Sequence, residues 1–195
     1  VLSPVELARL HAGYKNRIRF GPTFRADAWT ALEHLRSHSF GERFDAAPGV
    51  TVTFRPAGHI LGSATVRVEL TDGPTVQFSG DLGRPSHPLL VPPAPVGDCD
   101  YLVVESTYGD RVHSGGDNQE ELARVIERTV RRGGKVIIPA FAVDRTEVLL
   151  YHLRRLHEAG RLPKVPIFVD SPMALAALQI YREAIDERAG DIRAE

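Results

Sequence analysis

Four short segments carry the residue types that do chemistry. In RPAGHILGSA (55–64) His59 stands in a loop between two alternating stretches, with Gly58 and Gly62 on either side. Glycines there let the backbone come close to something, and a histidine at a strand end offers an imidazole nitrogen to a metal. The plainer alternative is an imidazole satisfied by the carbonyls of a tight loop. In FSGDLGR (78–84) Asp81 follows a strand and lies between Gly80 and Gly83. Its two oxygens are separate hard donors able to bridge two cations, or the same side chain closes an Asx turn. Both segments end strands of one alternating set, so imidazole 59 and carboxylate 81 are expected side by side at neighbouring strand tips. In VVESTYGD (103–110) Glu105 ends a strand beside Ser106, Thr107 and Tyr108. That carboxylate either orients a histidine or holds a proton, or it caps a helix or pairs with Arg111. In IPAFAVDRTEVLLYHL (138–153) a strand passes through Ala140 and Phe141 into a helix whose first N–H groups suit phosphate, with Asp144 and Arg145 beside it. Every strand-to-helix junction shares that last pattern.

The elements that must position these residues fall into two textures. Ser3, Pro4 and Glu6 make a capped start for a helix over 4–14, with Leu7, Leu10 and Tyr14 on one face. A second amphipathic helix is predicted near 24–37 from Ala28, Leu32 and Leu35, with Trp29 beside them. From residue 50 the period becomes two: VTVTF (50–54), then ATVRVEL (64–70), which turns at TDGP (71–74) and returns as TVQFSG (75–80), a hairpin. Five prolines between Pro85 and Pro95 exclude regular structure and make an extended connection into YLVVE (101–105), a short apolar strand.

Beyond residue 110 a helix over 117–132, capped by Asp117 with Glu120 three positions on, carries a stripe of Leu122, Val125, Ile126 and Val130. KVIIP (135–139) and VPIFVD (165–170) read as buried strands. A helix over 144–159 aligns Leu149, Leu153 and Leu156, and Ser171-Pro172 opens a last helix with Leu175, Leu178 and Ile185 on one face. Strand and helix alternate, so this half is expected to be a parallel sheet covered by helices, and the two textures imply two domains meeting near residue 110.

Composition narrows the function classes. With 43% apolar and 25% charged residues over 195 positions, the chain is a globular protein with a core, not a disordered or disulfide-stapled one. Twenty-four Lys and Arg against 25 Asp and Glu leave a net charge of −1, so any nucleic-acid binding must come from a local patch or a metal site. A single cysteine, Cys99, excludes an intrachain disulfide and a cysteine-rich zinc module, and points to a reducing, cytoplasmic setting. No apolar run approaches the roughly 18 residues of a membrane span, and VLSPVELARL is not built like a signal peptide.

In this order and spacing, AGHILGSA, FSGDLGR, ESTYGDR and IPAFAVDR resemble the β-CASP branch of the metallo-β-lactamase fold, the branch of RNA-processing nucleases that includes the cleavage and polyadenylation specificity factor endonuclease and its bacterial and archaeal relatives. The resemblance runs from GPTF at 21 to VPIFVDSPMA (165–174). It implies an α/β chain: part of an αββα sandwich over 1–110, then the first part of a β-CASP βαβ domain with a parallel sheet over 111–195. It implies His59 as a zinc ligand, Asp81 as the carboxylate bridging two zinc ions, and Glu105 as the acid that supports a general-acid histidine, so that Asp81 and Glu105 are the catalytic positions.

The activity it implies is zinc-dependent hydrolysis of RNA phosphodiesters, endonucleolytic or exonucleolytic, on single-stranded RNA held by its backbone. Arg84, Arg111 and Arg145 are candidates for the basic patch, no membrane is involved, and a homodimer is an open possibility. The family's H-x-H-x-D-H signature is not in this sequence, where the nearest histidine pair, His34 and His38, lies four apart. With Val1 in place of a methionine, the expectation is an internal segment of a longer polypeptide that holds part of the site and, isolated, binds zinc poorly and is inactive. A non-catalytic scaffold of the same branch, a DNA nuclease and a small-molecule hydrolase are the competing readings. The first would be expected to lose His59 or Asp81, since ligands without a metal are costly buried polar groups. Both are present.

Overall fold

A computed structural model describes residues 22–112 and 118–193. The chain is mixed α/β, as expected, and divides into two compact units. The first comprises the residues up to Ser106 and the chain from Gln179 onward, and the second comprises Thr107–Leu178. The expected helix over 4–14 and the cap at Asp117 lie outside the described residues.

The first unit is built on a five-stranded sheet in sequence order, β1 (Arg43–Ala47), β2 (Val50–Pro56), β3 (Ala64–Leu70), β4 (Thr75–Phe78) and β5 (Tyr101–Val103). β1 to β4 form an antiparallel meander, and β5 returns parallel to β4 after the proline-rich connection. β3 has the bounds its alternation predicts, because Val66 and Val68 pair with Phe78 and Val76 on one face while Arg67 faces Gln77 on the other. β1 was not anticipated: RFDAA has no alternation, four of its five residues are exposed, and it is held instead by its pairing with β2. His38 stacks on Phe44 at 3.5 Å between ring centroids, and Phe44 leans on Phe54. α1 (Pro22–Glu33) ends earlier than its apolar spacing predicts. There the Arg36 guanidinium donates to the carbonyls of Glu33 and Leu35, satisfying acceptors that a longer helix would have used.

The polar face of this sheet is the better covered. Thr53, Thr65 and Gln77 are buried, and the Arg67 guanidinium donates to the Asp98 carbonyl at 2.7 Å, so the connection into β5 passes over that side. On the opposite face Val52 is buried, whereas Phe78, Tyr101 and Val103 are exposed.

The second unit pairs α2 (Asn118–Arg131) with α3 (Arg145–Glu158). Ala123 and Ile126 of α2 and Leu153 and Leu156 of α3 are the buried apolar residues of this helix pair, which the 3.6-residue spacing had marked apart from Ala123. Glu120 and Arg161 close this pair with a two-pronged ion pair. The segments 135–139 and 165–170, expected as buried strands, form no ladder among the described residues. Ile137 is 87% and Phe168 84% exposed. A strand exists only as one side of a ladder, and among the described residues the parallel pairing lies at β4–β5. α4 (Pro172–Asp186) starts where expected, with the Ser171 hydroxyl accepting the Ala174 amide at 3.2 Å. Its buried face is Ala174, Ala177, Ile180 and Tyr181, not Leu175 and Ile185, which are exposed. PMALAALQIY is apolar nearly all round, so periodicity alone selects no face. No helix among the described residues is long and apolar enough to cross a membrane.

Candidate functional site

At one end of the sheet, two loops lie backbone to backbone. The first joins β2 to β3 and carries His59. Gly58 and Gly62 take positive φ, 64° and 81°, and the Ser63 hydroxyl accepts the amides of His59 and Ile60 at 3.0 and 3.2 Å. The Ala57 amide donates to the Ser63 carbonyl, which shuts the loop. The second follows β4 and carries Asp81. Its Gly83 amide donates to the Ala57 carbonyl at 2.9 Å. A Cβ at Gly83 would stand 1.5 Å from the Gly58 carbonyl oxygen, a distance no side chain survives. At Gly80, with φ of 56°, an added Cβ would stand 2.9 Å from the Ala64 carbonyl oxygen. These glycines are needed because two backbones touch.

The consequence is the expected convergence. His59 Nε2 lies 3.9 Å from Asp81 Oδ2, and both side chains are open to solvent. Glu105 reaches the same place from the end of β5: its Oε1 accepts the Leu82 amide at 3.1 Å. Its own amide donates to the Ser79 hydroxyl at 2.9 Å, and that hydroxyl donates to the Gly80 carbonyl. Glu105 is thus attached to the Asp81 loop itself. Ser79, buried and polar, is part of this arrangement, and nothing in the sequence singled it out.

An imidazole nitrogen and a carboxylate oxygen are the donor types zinc accepts, and at this separation they fit two positions of one shell. A zinc centre takes at least three protein ligands, and among the described residues no group of three or more His, Cys, Asp or Glu is arranged to hold a metal. His59 and Asp81 are two donors, fewer than such a shell requires.

The fourth segment belongs to the second unit, where Asp144 precedes α3 at φ 67° without a side-chain capping bond. Thr146 Oγ1 donates to the Phe141 carbonyl instead. Glu147 is buried, and neither of its carboxylate oxygens accepts a hydrogen bond among the described residues. Burial pushes its carboxyl above the usual range, against the pull of nearby backbone N–H groups. Of the three arginines, Arg84 lies in the first unit, Arg111 and Arg145 in the second. All are exposed, and Arg111 sits 3.7 Å from Asp110.

Known proteins resemble the chain over most of its length. It is 38% identical over 176 residues to Ribonuclease TTHA0252 of Thermus thermophilus, covering 90% of this chain and 39% of that protein. It is 32% identical to an RNase J-like protein of Methanocaldococcus jannaschii, covering 82% of this chain and 38% of that protein. With Endoribonuclease YSH1 of Kluyveromyces lactis the identity is 30%, over 86% of this chain and 22% of the yeast protein. No family model matches. The chain thus spans between about a fifth and two fifths of the length of these curated relatives.

Proposed function

From a chain that is related to the β-CASP branch of the metallo-β-lactamase fold, we infer one part of a zinc-dependent ribonuclease site. The observation that carries this reading is the 3.9 Å approach of His59 Nε2 to Asp81 Oδ2 at the tips of one sheet. Loop closure there is made by backbone and by Ser63, which leaves the imidazole and the carboxylate facing solvent. Such a pair suits a dication shared with ligands from elsewhere in the full-length protein.

Zinc, when bound, supplies a Lewis acid and a water acidic enough to attack near neutral pH. The chain's own contribution is positional. His59 and Asp81 hold the metal, and Glu105 fixes the backbone behind Asp81 through the Leu82 amide. The substrate on this reading is single-stranded RNA, held through phosphate contacts to which Arg84 of the same unit contributes.

The test is made in the full-length protein with His59→Ala and Asp81→Ala, measuring zinc content and cleavage of a labelled single-stranded RNA. Both variants are expected to lose cleavage and hold less zinc. Unchanged turnover in either removes that residue from the site, and an equal rate on single-stranded DNA removes RNA as the preferred substrate.

A further inference from the structure

The loop that bears His59 is held from two sides. Ser63 takes the first two of its amides, His59 and Ile60. The next two are taken by side chains far along the chain: Leu61 N–H donates to the Tyr181 hydroxyl at 3.1 Å, 120 positions away, and Gly62 N–H donates to Asp191 Oδ2 at 2.8 Å, 129 positions away. Every amide from His59 to Gly62 thus ends on a side-chain oxygen. Both distant acceptors are buried, Tyr181 at 3% and Asp191 at 7% exposure.

The segment that provides Asp191 is itself fixed. Asp191 accepts the Val91 amide through its carbonyl at 2.9 Å, Ile192 bridges to Leu90, and the Arg193 amide donates to the Leu89 carbonyl. The Arg193 guanidinium donates to the carbonyls of Leu90 and Pro85. Leu90 is fully buried beneath this bridge. The proline-rich connection is pinned in turn to the His59 loop, since the Ala94 amide donates to the Pro56 carbonyl and a Cβ on Gly58 would strike the Val91 carbonyl. A carboxylate accepting a backbone amide is among the stronger hydrogen bonds, and a buried one resists exchange with water.

We propose that Tyr181 and Asp191 are positioning residues: they clamp the amides of Leu61 and Gly62 and so hold His59 at its distance from Asp81. The inference rests on the reading of His59 and Asp81 as metal-holding residues. It adds that the geometry of that pair depends on the chain's return through α4 into the first unit. Neither residue touches metal or substrate in this account.

The experiment uses the full-length protein with Tyr181→Phe, Asp191→Ala and Asp191→Asn, beside His59→Ala as the control. Zinc affinity is read by competition with a chromophoric chelator, without substrate. RNA cleavage is read as kcat and KM separately. Tyr181→Phe and Asp191→Ala are expected to weaken zinc binding by about 10- to 100-fold, the range for residues that orient a ligand. They should lower kcat and leave KM nearly unchanged. Asp191→Asn keeps an acceptor oxygen for Gly62 and is expected to restore most of the affinity.

If zinc affinity and kcat are unchanged in Tyr181→Phe and Asp191→Ala while His59→Ala loses metal, the clamp has no positioning role. Equal damage from Asp191→Asn and Asp191→Ala would also overturn it, since the acceptor would not be the cause. If His59→Ala binds zinc as tightly as the parent, the site reading itself fails, and this inference with it. Should Asp191→Ala not fold, Tyr181→Phe decides, because it removes one oxygen and keeps the buried ring.

Discussion

The amide of Leu82 donates to the Glu105 carboxylate at 3.1 Å, which ties the end of β5 to the residue directly after Asp81. Glu105 therefore acts on the Asp81 loop from behind, whatever else it supports. Glu105→Gln keeps an acceptor for Leu82 and removes the charge. It is expected to slow RNA cleavage in the full-length protein while zinc stays bound. Glu105→Ala leaves the Leu82 amide unmatched and should lower zinc content as well. Metal analysis alongside the rate separates the two, and zinc loss in the glutamine variant would assign Glu105 to the metal directly.

Gly83 gives the sharpest test of the loop pairing. A methyl there would fall inside the Gly58 backbone, 2.0 Å from its carbonyl carbon. Gly83→Ala must push the two loops apart, at a cost of about 3 kcal/mol or more, at the upper end of overpacking effects. Gly41, also at positive φ but with nothing within 4 Å of its added Cβ, is the control. Gly41→Ala should cost only about 1 kcal/mol, the backbone penalty alone. Chemical unfolding of both variants checks the difference, and equal losses would mean the loops are not in contact.

Glu147 makes stability depend on pH in the direction opposite to a paired carboxylate. Burial raises its folded-state pKa above 4.5, so the unfolded chain releases the proton first. Its neutral form is accommodated fully below 4.5, and stability falls as pH rises from there through the raised value. Glu147→Met, which fills the site without a charge, is expected to stabilise the fold by about 1–3 kcal/mol at neutral pH. The gain should shrink in acid. Denaturant midpoints on both sides of the transition measure it, and a pH-independent difference would show that ionisation of Glu147 is not involved.

Glu42 works the other way. The Ser39 amide, and secondarily His38, hold its carboxyl below 4.5. Its contribution is present above that value and is lost as pH falls through the lowered one. Glu42→Gln removes that contribution, so it should lower the neutral thermal midpoint slightly, leave the acid midpoint nearly unchanged and thereby flatten the acid limb. A limb as steep as the parent's would assign the acid response to other groups.

Much of the site was legible because its parts are local. His59 between two glycines and Asp81 between two more are short patterns, and the alternation of β2 to β4 states that both lie at strand ends of one sheet. Tyr181 and Asp191 left no such trace, since a hydrogen bond across 120 residues has no period and no motif. Ser63 did leave one, four residues after His59 in a glycine-flanked loop, where a hydroxyl commonly takes backbone amides. The failures in the second unit have one physical root. Apolar runs such as KVIIP and VPIFVD state a preference for burial, but a ladder needs a partner strand, and hydropathy does not name one. β1 is the converse case, made by pairing with β2 where hydropathy is silent.

Phe78, Tyr101 and Val103 stand on one face of β4 and β5, with 40%, 62% and 52% of their surface in water. A net charge of −1 provides little mutual repulsion between copies. A preparation of these 195 residues by themselves is therefore expected to behave as a poor colloid, with light scattering that climbs with concentration and falls on adding a mild detergent. Handling conditions, more than folding, would then set how much material reaches the cuvette.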